Sequence, residues 1–181
     1  MVHSTLVDTV FLGAGYSIGF DGTNDWVDFG DGPWIDGTAD FSLQFWIKSD
    51  DVTGYSNILM KTDDNNSTTN GLRLRLGTDD KINFLLKGGF EDGTGATNLS
   101  SMTTGAALTS LEGTWIHVVL TADRDTNYII YINGSASITS TAFVSNSGVS
   151  ASNGGDLILG GNAMSGDSPT ESVGGDLTAV G

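Results

Sequence analysis

Carboxylates, one serine and a few aromatic rings are the side chains of this 181-residue chain whose types and spacing could do chemistry. Oxygen-rich clusters of the kind that hold Ca²⁺ occur three times: Asp21 with Asn24 and Asp25, Asp63-Asp-Asn-Asn66 with Asn70, and Asp123-Arg-Asp-Thr-Asn127. The third mimics the opening of an EF-hand loop, but Tyr128 stands where that loop requires glycine, and a hairpin turn is expected instead. Gly15-Tyr-Ser-Ile-Gly19 has the Gly-x-Ser-x-Gly pattern of a nucleophile elbow, which needs a strand, a strained turn and a helix to expose its serine. Phe20-Asp-Gly-Thr-Asn follows, without helical periodicity, so the match reads as chance. His117 shares a strand face with Trp115 and Val119 and has no implied nucleophile, which makes it a packed, hydrogen-bonded histidine. Glu91, Glu112 and Glu171 are each isolated near glycines and read as solvated surface. Aromatic rings can stack on pyranose faces, and this singles out Trp34, between Pro33 and Ile35, and Tyr55, in the loop after Asp50-Asp51.

The elements that must position these groups read as strands. Phe41-Ser-Leu-Gln-Phe-Trp-Ile-Lys48 alternates, with Phe41, Leu43, Phe45 and Ile47 on one face and Ser42, Gln44, Trp46 and Lys48 on the other. Leu72-Arg-Leu-Arg-Leu76 alternates again, and turn residues 77 to 80 lead into Lys81-Ile-Asn-Phe-Leu-Leu86, which predicts a hairpin. Trp115 to Thr121 and Tyr128 to Ile132 flank a polar turn, and Asn133-Gly134 marks a tight turn that extends the meander. Leu157-Ile-Leu159 is a further short strand. Strands about ten residues apart with no helical run between them predict an all-β, two-sheet antiparallel sandwich. Residues 1 to 12 lack a sustained period and read as an N-terminal arm or added strand, ahead of a sandwich over residues 13 to 181.

Composition narrows the function. There are 26 Gly and 2 Pro, which suits many short strands and turns, and no Cys, so neither disulfides nor thiolate chemistry is available. The formal net charge of −15 would repel a phosphate backbone, so nucleic acid is not an expected partner. Only three of the 22 acidic residues are Glu; Asp in turns, Ca²⁺ binding and a saline setting each account for such a bias. No stretch is long enough to span a membrane as a helix, and Met1 to Gly15 has no Lys or Arg ahead of its apolar residues and places Asp8 among them, unlike a secretory signal.

Five segments, in order, resemble the laminin G-like branch of the concanavalin A-like lectin/glucanase jelly rolls, especially bacterial and phage members. They are Ile18-Gly-Phe-Asp-Gly22 with Asp25-Trp-Val27, Phe41 to Lys48, Ile58-Leu-Met-Lys61, Trp115-Ile-His-Val with Thr121, and Ile130-Tyr-Ile-Asn-Gly134; Asp156 to Asn162 adds a weaker sixth. The resemblance covers residues 16 to 181 and implies two antiparallel sheets packed face to face. It places Trp26 and Trp46 in core motifs, as packing residues. Catalytic relatives carry a Glu-x-Asp-x-x-Glu string that this chain lacks, so an enzyme is not expected, a degenerate glucanase or lyase being the lesser alternative. The family's last strand runs on in a pattern that Gly175 to Gly181 only begins, so the last strand reads as incomplete.

The resemblance further implies binding through rim loops at 50 to 57, 62 to 70 and 88 to 108. The candidate ligand residues are Trp34, Tyr55, Asn65, Asn66 and Asn70. A bound Ca²⁺ is expected at Asp21, Asn24, Asp25 and Asp176, where the first and last strands should meet, or at Asp63 and Asp64. The reading favoured is a non-catalytic recognition or structural module on a virion surface, such as a capsid decoration or fibre component. Its partners would be a glycan or neighbouring surface proteins and subunits. An adhesion module of a larger bacterial cell-surface or secreted protein is the alternative.

Overall fold

The computed structural model describes residues 17–21, 25–31, 37–49, 55–62, 70–89, 97–142, 144–161 and 174–179. Twelve strands are described: β1 Ile18–Asp21, β2 Val27–Asp28, β3 Phe41–Ser49, β4 Ser56–Thr62, β5 Gly71–Leu76, β6 Ile82–Gly88, β7 Thr97–Thr103, β8 Ile116–Asp123, β9 Asn127–Ile132, β10 Ser135–Ser140, β11 Leu157–Leu159 and β12 Gly174–Ala179. Sheet A has the order β1-β12-β3-β8-β9-β10 and sheet B the order β2-β11-β4-β5-β6-β7, and every pairing is antiparallel. Among the described residues, no helix is long and apolar enough to cross a membrane.

Period-two alternation produces this architecture. Along β5 and β6, Leu72, Leu74, Leu76, Ile82, Phe84 and Leu86 are almost fully buried, while Arg73, Arg75, Asn83, Leu85 and Lys87 alternate with them. In sheet A, Phe45 and Ile47 of β3 and Ile116, Val118, Leu120 and Ala122 of β8 supply the facing half, with Tyr128 and Ile130 of β9 behind them. The two inner faces form one apolar cluster. Each buried aliphatic or aromatic side chain contributes about 1.5–3 kcal/mol, so this interior holds the sheets together. Burial pushes the Tyr128 phenol above its ordinary value, and the neighbouring Arg124 guanidinium pulls it part of the way back.

Two turns follow from their residues. Asn133 and Gly134 both have positive φ, 50° and 80°, and close a two-residue hairpin in which Ser135 pairs with Ile132. The turn from Asp123 to Asn127 is a hairpin, closed by the Thr126 N–H donating to the Asp123 carbonyl. Its Arg124 is buried, and its guanidinium donates to the carbonyls of Gly37, Ser147 and Val149, tying two loops to the hairpin.

One expectation changes. Residues 97 to 103, expected within a rim loop, are strand β7, and residues 56, 57 and 62 belong to β4. The β6–β7 register shifts between Leu86 and Lys87, whose partners Ser100 and Asn98 skip Leu99, so the buried Leu99 and Met102 fall three apart and the alternation is hidden in the sequence. The last strand, β12, lies inside sheet A, beside the first strand as expected. It pairs with β1 on one side and with Phe45 to Ser49 of β3 on the other.

Candidate functional site

The outward positions of sheet A bring together aromatic groups that lie far apart in sequence. Trp46 of β3 is opposite His117 of β8, and the two rings stack with centroids 4.9 Å apart. Trp115, just ahead of β8, lies on the same face, with the Lys48 ammonium 5.6 Å from its ring centroid. Trp46 is 37% exposed and Trp115 40%, so two indoles reach solvent on the outer face of sheet A. Trp46 is therefore not the packing residue expected of it. Its neighbours in β3, Phe45 and Ile47, take the interior, and alternation turns the indole outward. Trp26 does pack, against Met60 and Ile158, in a second small cluster.

The Asn-Gly turn fixes this platform. The Asn133 N–H donates to the His117 carbonyl at 2.8 Å, and the Asn133 Oδ1 accepts the His117 N–H at 2.9 Å. One side chain at a tight turn thus holds the backbone of His117, whose ring supports Trp46. His117 is half-buried, and its ring stacks on an exposed tryptophan on the outward face of the sheet.

The expected rim residues are dispersed. Tyr55 is 49% exposed and lies over the Arg75 guanidinium, 4.1 Å from carbon to ring centroid. Asn70 is buried, and its amide donates to the Ser152 carbonyl at 3.1 Å, a strut between two loops. Trp34, Asn65, Asn66, Asn24, Asp63 and Asp64 lie outside the described residues. In the β1–β12 pairing Asp21 is opposite Gly174 and Asp176 opposite Gly19, so the two are two register positions apart; Asp25 is exposed nearby in sequence. The described side chains include no group of three histidine or carboxylate residues able to hold a metal ion.

Lys61, fully buried at one end of sheet B, is a feature that the sequence reading did not single out. It faces inward opposite Leu72, donates to the Gly155 carbonyl at 2.7 Å and pairs with Asp31 at 2.9 Å. The exposed Asp156 is raised above the usual carboxylate value by partial burial and by Asp28 and Asp31, against the pull of Lys61. An ammonium thus already serves the acidic end of the sandwich.

A family profile described as the concanavalin A-like lectin/glucanases superfamily, laminin G type, matches residues 21–178. The chain belongs to this laminin G-like family. Among curated proteins none matches it significantly. The mouse laminin α1 chain, domains LG4-5, superimposes with a TM-score of 0.62 at 13% identity, covering 94% of this chain and 41% of that one. The CBM40 module of the Ruminococcus gnavus IT-sialidase, bound to α2,3-sialyllactose, gives 0.61 at 17% identity over 90% of this chain and 88% of that one. The binding domain of botulinum neurotoxin serotype G gives 0.56 at 16% identity, covering 92% and 43%. At these identities the likeness is one of fold, and the laminin G-like sandwich hosts all three.

Proposed function

We propose that this chain is a non-catalytic carbohydrate-recognition module whose binding surface is the outer face of sheet A. One observation carries the reading: Trp46 and Trp115 are exposed together on paired strands, with His117 stacked beneath one and Lys48 over the other. Exposing two indoles costs apolar burial, and a pyranose face restores it by stacking on the rings. The sialyllactose-bound Ruminococcus module supports the choice of ligand class, since the same fold carries sugar recognition there.

The proposed setting is a virion surface, with a bacterial cell surface as the alternative, and neighbouring subunits as further partners. Ca²⁺ at the Asp21 and Asp176 end of sheet A belongs to the same proposal, supported by the β1–β12 pairing that sets the two residues near each other in register. A rise in melting temperature on adding Ca²⁺, absent in Asp176→Asn, is its test.

The glycan reading is tested on an array of neutral and acidic oligosaccharides followed by calorimetric titration of the best binder. Trp46→Ala and Trp115→Ala should each weaken a neutral oligosaccharide by about tenfold or more while the far-UV spectrum stays that of the parent. An array without a binder, or alanine variants that bind as the parent does, would refute the proposal.

A further inference from the structure

The outer face of sheet B has a different chemistry. Arg73 and Arg75 occupy successive outward positions of β5, and Lys87 an outward position of β6, with Arg75 opposite Asn83, Arg73 opposite Leu85 and Lys87 opposite Gly71. Three of the seven basic residues of a chain with net charge −15 therefore share one face of two adjacent strands. Successive outward positions are about 7 Å apart, so the two arginines sit within the span of a disaccharide.

Arg75 is arranged to receive something. Tyr55 stacks on its guanidinium at 4.1 Å and fixes the plane of the group. Among the described residues that guanidinium makes no ion pair and no hydrogen bond; its Nε is buried, which leaves the two terminal nitrogens as the groups a ligand can reach. A stacked guanidinium presents its N–H edge sideways, in the geometry that grips a carboxylate or sulfate with two parallel bonds. Asn83 stands opposite it, held by the Thr103 hydroxyl at 3.1 Å and by its own amide donating to the Lys81 carbonyl at 3.1 Å. The Tyr55 ring, half-exposed, adds an apolar surface beside the cation.

We infer that Tyr55, Arg73 and Arg75 form a second binding site, for the oxyanion of an acidic saccharide. The site is on the opposite sheet from the aromatic platform; it borrows from the carbohydrate reading only the nature of the molecule that bears the anion. A nucleic acid would meet the same cations but also the charge of −15 on the rest of the chain, which disfavours a long polyanion. A short acidic oligosaccharide, a few sugars long, meets only the local face.

The experiment is calorimetric titration of the full chain at low salt with trigalacturonate as the carboxylate probe, a heparin hexasaccharide as the sulfate probe, maltohexaose as the neutral control and a short DNA duplex as a non-saccharide polyanion. Binding of at least one acidic oligosaccharide is expected, weakening as salt is added. Arg75→Ala should lose roughly tenfold or more, and Arg75→Lys and Tyr55→Ala several-fold, because lysine keeps the charge but not the fork. Trp46→Ala should bind the acidic probe as the parent does, and thermal melts of the arginine variants should stay near the parent. Silence toward both acidic probes, undiminished binding by Arg75→Ala, or DNA binding as tight as the saccharide would overturn the inference. If the acidic sugar instead fails in Trp46→Ala and not in Arg75→Ala, the platform is upheld and the second site falls.

Discussion

The two outer faces of this sandwich are built by the same rule and carry opposite chemistry. On sheet A, alternation along β3 and β8 turns out Trp46, His117 and Lys48 beside Trp115, giving stacked rings with a single ammonium near them. On sheet B, alternation along β5 and β6 turns out Arg73, Arg75 and Lys87, with Tyr55 serving the cation rather than being served by it. The inward positions of both sheets are mostly aliphatic and aromatic residues, and they form the common interior of the sandwich. Along β3, β5, β6 and β8 the inward half is committed to the fold and the outward half is free to vary, which lets one scaffold carry different surface chemistry.

The sharpest way to break this comparison is to exchange the losses. Trp46→Ala with Trp115→Ala should remove most neutral-sugar binding, a loss of tenfold or more by about the magnitude of an aromatic hot spot, and leave acidic-sugar binding intact; Arg75→Ala should do the reverse. Titration calorimetry with maltohexaose and trigalacturonate reads both. A second change should strike both faces through the interior. Arg124→Ala leaves the carbonyls of Gly37, Ser147 and Val149 without their buried donor, and chemical denaturation should show a loss of about 3 kcal/mol. A smaller and one-sided effect is expected from Asn133→Ala. Losing the side-chain bond to the His117 N–H and the residue's ease at φ 50° should cost about 1 kcal/mol and weaken the platform without touching Arg75.

The smallest effect concerns the acidic end. Asp156 has a raised folded value, so its protonated form is favoured in the fold: the stability this contributes is full below the ordinary carboxylate value and is lost as pH rises through the raised one. At neutral pH the charge is a mild liability beside Asp28 and Asp31. Asp156→Asn should therefore melt slightly higher than the parent at neutral pH, and that advantage should vanish in acid.

Much of this was legible in the chain. Phe41 to Lys48, Leu72 to Leu76 and Asn133-Gly134 announced their strands and turn because alternation and positive φ are local properties. Strand β7 was hidden because a register shift breaks its period, and Leu99 and Met102 then look like unrelated residues in a polar loop. The platform was half visible. Alternation had placed Trp46 with Ser42, Gln44 and Lys48, and His117 with Trp115, but only the β3–β8 register joins the two sets. Reading Trp46 as packing let a motif outweigh the parity that pointed it outward. Lys61 was hidden for a different reason: its partners Asp31 and Gly155 are far away in sequence, and nothing local marks a lysine as buried.

The central claim, that recognition lies on the outward faces and is divided between them, is tested most directly by following the indole signals of Trp46 and Trp115 and the Arg75 guanidinium signal by NMR in one titration series. Maltohexaose should move the two indoles and leave Arg75 in place, and trigalacturonate should move Arg75 and leave the indoles. Ligand-induced shifts confined to loops at the sandwich rim, with all three signals still, would contradict it.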